Sequence, residues 1–201
     1  MNILAHALLA EQAGCSLVGN LLGDFVRGAP PPEYPLAWQD GIRLHRRIDS
    51  YVDRHAASAR SVARLPAEQR RWARVALDVY YDHLLASRWA RYSSLPLGRF
   101  AADVYAELEQ HRPALPPAMT RFAGFMIERD LLVGYREPVV IEEVLVRMAG
   151  RVRRPNTLAA AFSGLAAAHD GIGQDLDDLF PATLAFARRE VAARRQETRN
   201  G

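Results

Sequence analysis

The sequence predicts an all-α, single-domain helical bundle. Three observations point there: apolar residues recur at helical spacing along most of the 201 residues, proline and glycine punctuate the chain at intervals that suit helices, and no linker is long enough to divide it. About half the residues are apolar and 24% are charged, which suits a packed core and excludes a disordered tract.

Taken in order, the spacing predicts helices over 2–12, 16–27, 36–62, 67–91, 97–111, 117–132, 138–149, 156–168 and 172–197. The first is apolar from Ile3 to Ala10. No basic residue precedes that run, His6 interrupts it, and Glu11-Gln12 follow, which argues against a signal peptide. Gly28 to Pro35 (GAPPPEYP) cannot continue a helix and must be a loop. The 67–91 segment sets Trp72, Val75, Val79, Leu84 and Trp89 among Arg and Asp, an amphipathic pattern. Leu65-Pro66, Leu95-Pro96, Pro116-Pro117, Glu137-Pro138 and Arg154-Pro155 mark further boundaries. Val139-Val140-Ile141 has strand character but runs into Glu-Glu-Val-Leu-Val, which favours a helix. No segment approaches the ~18 apolar residues of a membrane span.

Cys15 is the only cysteine, so no internal disulfide can form, as suits a cytoplasmic protein. The net charge is +3, and all 26 basic residues are Arg. A GC-rich coding bias explains the missing Lys, and Arg forks also suit phosphate and carboxylate partners. So small an excess, without a concentrated basic stripe, does not argue for nucleic acid.

The chemistry-bearing residues gather in the first half. His45, Asp49 and Asp53 are four apart, so one imidazole and two carboxylates lie along one helical stripe. Asp78 and Asp82 repeat the spacing, with His83 next, while Asn20/Asp24 and Asn2/His6 make two more pairs. Carboxylate and imidazole converging from several helices suit a divalent cation such as Mn, Fe, Zn or Mg. Each piece also has a plainer explanation. His45/Asp49 can be a surface pair, Asp24 can pair with Arg27, His83 can be a core histidine, and His6 reads as structural rather than as a ligand. Together they favour a metal site, since so many inward Asp and His side chains would otherwise need burial without partners. His55, His111 and His169 show no partner pattern. No P-loop, G-x-S-x-G or zinc-finger spacing competes.

These blocks resemble the acyl carrier protein phosphodiesterase family. The resemblance is carried by Met1-Asn2-Ile3-Leu4-Ala5-His6, by Gly19 to Gly28 (GNLLGDFVRG), by Gly41 to Asp49 (GIRLHRRID) with Asp53, and by Asp78 to Leu85 (DVYYDHLL) with Trp89. It covers roughly residues 1–91. It implies a divergent HD-domain-like fold and hydrolysis of the phosphodiester joining 4′-phosphopantetheine to the serine of holo acyl carrier protein, with Mn or Mg as cofactor. In this chain the adjacent pair is Asp82-His83, not His-Asp. That reversal prevents a ligand-by-ligand transfer from the family; the residues themselves suggest His45, Asp82 and His83 with Asp24 as metal ligands, Asp49 as a further candidate, and Asp24 or Asp49 as the group acting on water. Arg27, Arg46 or Arg47 would hold the phosphate or the acidic carrier protein. Two other functions remain: an HD-like phosphohydrolase acting on nucleotides or (p)ppGpp, and a non-enzymatic helical adaptor with an Arg-rich surface.

Overall fold

The computed structural model describes residues 1–200 and is built of helices alone, with no strand among the described residues. Eleven α-helices run in chain order: α1 Ile3–Ala13, α2 Leu17–Leu21, α3 Leu36–Arg54, α4 Ala56–Arg64, α5 Ala73–Ser87, α6 Leu97–Gln110, α7 Pro117–Glu128, α8 Leu131–Gly134, α9 Pro138–Arg151, α10 Ala161–Ala167 and α11 His169–Asn200. One hydrophobic core extends from α1 to α11.

The apolar run of α1 has a packing reason. Ile3 to Ala10 are all buried, because α2, α5 and α11 surround the helix. A helix apolar on every face belongs inside. Its first turn has no side-chain cap of its own. Asp82 of α5 supplies one instead, accepting the Leu4 and Ala5 amides at 2.8 and 3.0 Å. Gly14, in the left-handed region at φ 70°, closes the helix.

Between α2 and α3 the backbones nearly touch. A Cβ on Gly19 would lie 2.6 Å from Trp38 Cα, and one on Gly41 would lie 2.6 Å from the Gly19 carbonyl carbon. Only paired glycines permit this crossing, and it draws the Asn20–Asp24 segment onto the His45 face of α3.

Several boundaries differ from the sequence expectation. The 36–62 helix divides at His55, which adopts an extended conformation and accepts the Ala57 amide on Nδ1, capping α4. The 16–27 helix ends at Leu21 and passes into a 3₁₀ turn over Leu22–Asp24. The 67–91 segment keeps only Ala73–Ser87 as α-helix, flanked by 3₁₀ turns. Asp130, at φ 45°, separates α7 from α8 within 117–132. The 156–168 segment opens as a 3₁₀ turn over Leu158–Ala160. The last helix starts at His169 and carries Pro181 within it. Val139, Val140 and Ile141 form the first turn of α9 behind Pro138, a helix as expected. No helix is long and apolar enough to cross a membrane, among the described residues.

Candidate metal centre

Three elements bring His6, Asp24, His45 and Asp49 together. His6 comes from α1, Asp24 from the turn after α2, and His45 and Asp49 from one stripe of α3. His45 Nε2 lies 3.1 Å from Asp49 Oδ2 and 3.3 Å from Asp24 Oδ1. His6 Nε2 lies 3.0 Å from Asp49 Oδ1. Donor atoms of His6, His45 and Asp49 all fall within 4.8 Å of one another. The imidazoles are buried, at 1% and 3% side-chain exposure, whereas Asp49 and Asp24 keep 40% and 48%. The cluster is therefore closed on its histidine side and open to water on its carboxylate side.

Local sequence explains the placement. Gly23 is required beneath His45, since a Cβ there would overlap the imidazole. His6 is oriented from behind by Asn20, whose Oδ1 is 3.0 Å from its Nδ1, with both residues fully buried. His45 Nδ1 is buried with no hydrogen-bond partner, so Nε2 makes the polar contacts of that ring.

The electrostatics distinguish the two imidazoles. Burial and the nearby His45 charge push His6 down to about 4, against the pull of Asp49. Burial also opposes the charged form of His45, but its hydrogen-bond donation to Asp24 and Asp49 overrides this and raises the ring to about 9. Asp49 lies well below the usual carboxylate range. Burial opposes that shift, and its contacts with His45, His6 and the Met1 ammonium drive it. Asp24 is lowered as well, its burial outweighed by the bond to His45. The Met1 ammonium is 3.0 Å from Asp78 and 3.6 Å from Asp49.

As a donor set, two imidazole nitrogens and two carboxylates fit a first-row divalent cation. The remaining residues expected at the site lie elsewhere. Asp82 is fully buried at the start of α1, with both oxygens used by backbone amides. His83 donates from Nδ1 to the Tyr135 carbonyl at 2.9 Å and packs beside Tyr80 and His169. Asp53 leaves the stripe to pair with Arg74 at 2.7 Å. Arg46 braces the loop after Asp24, donating to the Val26 and Gly28 carbonyls. Arg47 pairs with Glu190 of α11 at 2.7 Å. Arg27 is exposed, three residues past Asp24. His6, which reads as structural from its place on an apolar helix, belongs to the cluster. The available signal was the invasion of that apolar run by a single imidazole. A cleft of about 600 Å³ between α3 and α11, lined by Cys15, Leu44, Arg47 and Val191, contains none of the four cluster residues.

Comparison with known proteins places the chain within a family. The family model described as acyl carrier protein phosphodiesterase matches residues 1–183. The acyl carrier protein phosphodiesterase of Salmonella dublin is 36% identical over 192 residues, covering 95% of this chain and all of the relative. That of Enterobacter sp. strain 638 is 35% identical over 191 residues, covering 94% and 99%. No solved structure matches. The length of the family match and the near-complete coverage of these relatives establish that the chain belongs to the acyl carrier protein phosphodiesterase family.

Proposed function

We propose that this protein is a phosphodiesterase that hydrolyses the phosphodiester between 4′-phosphopantetheine and the serine of holo acyl carrier protein, releasing apo carrier protein and 4′-phosphopantetheine. Family membership supports the reaction and substrate. The observation that carries the chemistry is the meeting of His6, His45, Asp49 and Asp24, with imidazoles buried and carboxylates facing solvent.

In this reading His6, His45 and Asp49 hold a divalent cation, Mn or Mg, with Asp24 at its open edge. Bound there, such an ion lowers the pKa of a water and offsets charge on the phosphate as the ester breaks. Asp49 is committed on both oxygens, to His6 and to His45. Asp24 touches His45 alone within the cluster and is the more exposed carboxylate. Asp24 is thus placed to accept a proton from the attacking water and align it with phosphorus. Arg46 and Arg47 are engaged with the loop and with α11. That leaves Arg27, exposed three residues past Asp24, to steady the phosphate. The basic excess of the protein suits an acidic carrier protein and makes encounter sensitive to salt.

Intact-protein mass spectrometry of holo acyl carrier protein, incubated with the enzyme and Mn, Mg or chelator, tests the proposal. The expected result is metal-dependent loss of the phosphopantetheine mass. An unchanged mass, with the protein folded and metal bound, would point to an HD-like phosphohydrolase acting on nucleotides.

A further inference from the structure

Asn20 and His6 make a contact that the reaction itself does not use. Asn20 Oδ1 lies 3.0 Å from His6 Nδ1, and the opposite ring nitrogen lies 3.0 Å from Asp49 Oδ1. A neutral imidazole carries one proton, so the group facing one nitrogen decides what the other can do. If an oxygen faces Nδ1, the proton resides there and Nε2 presents a lone pair. Were the amide turned over, its NH2 would donate to Nδ1 and the proton would move to Nε2, blocking it as a ligand.

The surroundings decide which end of the amide faces the ring. Asn20 Nδ2 points to Cys15 Sγ at 3.9 Å, while that thiol points its own hydrogen to the Ser16 carbonyl at 3.9 Å. The sulfur is therefore a weak acceptor at Nδ2, which selects the orientation with Oδ1 toward His6. The residue itself is also fixed in place. Gly19 and Gly41 lock α2 against α3, and Asn20 is wholly buried in that crossing. An Nδ1–H donated to Oδ1 leaves the Nε2 lone pair facing a carboxylate oxygen at 3.0 Å. Two acceptors at that distance need a positive partner that both can hold, either a proton on Nε2 or a cation in its place.

We propose that Asn20 is a positioning residue for the candidate metal centre: its amide oxygen takes the Nδ1 proton of His6 and holds the Nε2 lone pair toward the cation. Cys15, at the other end of the amide, sets its orientation. This inference rests on the cation-binding part of the proposed function, and it makes no use of the carrier protein.

The test compares Mn(II) affinity of the wild type, Asn20→Ala and Asn20→Asp by isothermal titration, with no carrier protein present. Removing an outer partner of a ligating histidine typically lowers affinity by about 10–100-fold. Asn20→Ala is expected to fall in that range, and Asn20→Asp, which keeps an acceptor, is expected to bind at least ten times more tightly than Asn20→Ala. In the Zn(II)-loaded protein, nuclear magnetic resonance supplies the second readout. The His6 Nδ1 proton should give a slowly exchanging imidazole signal in wild type and Asn20→Asp that is lost in Asn20→Ala. Equal affinities in all three proteins, or equal losses in both variants, would overturn the proposal. If Asn20→Ala does not fold, Cys15→Ala replaces it, and an unchanged His6 signal with unchanged affinity there overturns the orienting role of the thiol. A wild type that binds no cation would remove the cation reading, while a cation-binding protein that leaves holo carrier protein intact would remove only the substrate reading.

Discussion

The imidazoles of His6 and His45 stack, with ring centroids 3.9 Å apart and planes inclined by 21°. Two rings so close disfavour a charge on both, and the surrounding groups assign it to His45, held at about 9 while His6 falls to about 4. In the metal-free protein, His45 is protonated at neutral pH. Its folded-state pKa is raised above the ordinary 6.5, so the stability it contributes is fully present below that value and is lost as pH rises through about 9. The melting temperature of the metal-free protein should fall by several degrees between pH 7 and pH 10, and His45→Gln should flatten that part of the profile.

The same proton must leave when a cation takes His45 Nε2. At pH 7, titration calorimetry in buffers of different ionisation enthalpy should show about one proton released per Mn bound. No release would mean that His45 does not enter the coordination sphere.

Asp24 and Asp49 differ in how much they hold together. Asp24→Asn should lower kcat by roughly 10²–10⁴-fold while leaving the melting temperature near that of wild type, because its side chain is half exposed. Asp49→Asn should cost both activity and stability, since it removes the carboxylate shared by two buried imidazoles. Steady-state kinetics and thermal melts on the two variants check this contrast.

Metal stoichiometry separates the cluster from the Asp82-His83 pair. His6→Ala and His45→Ala should lose bound metal. His83→Ala should retain it, because that ring is bonded to the Tyr135 carbonyl. Asp82→Ala should retain it too, at a stability cost of about 1–3 kcal/mol for two unpaired buried amides. Loss of metal in His83→Ala would move the centre.

Gly23→Ala offers a test of packing under the site. The added methyl would meet the His45 ring, and the ring must move for the chain to fold. The variant should fold yet bind Mn far more weakly than wild type. Gly41→Ala, which collides with the Gly19 backbone, should instead lower the melting temperature, at a cost of about 1–3 kcal/mol.

What the sequence revealed and what it hid follow the range of each interaction. His45 and Asp49 are one turn apart on a single helix, so their shared face is visible as spacing. Asp24 stood out through the block that carries the family resemblance. Asp82 shows the same four-residue spacing from Asp78, yet its partners are amides 77 and 78 residues away on another helix, which no local pattern encodes. The break at His55 was hidden for a related reason, since neither proline nor glycine marks it and an imidazole makes the cap. His6 was the hardest to read, because a helix buried on every face leaves no polar side against which an inward ligand stands out.

That burial of α1 also sets a timescale. With α2, α5 and α11 around it and Asp82 bound to its first turn, the helix is buried from Ile3 to Ala10 and has no exposed face there from which to fray. Its amides should exchange with solvent only through global unfolding, among the slowest in the protein. His6 is carried on that rigid segment, whereas Asp24 sits on a short turn beside the loop at Gly28 to Pro35. The centre therefore joins a nearly immobile imidazole to a carboxylate on the most readily adjustable of its three supports.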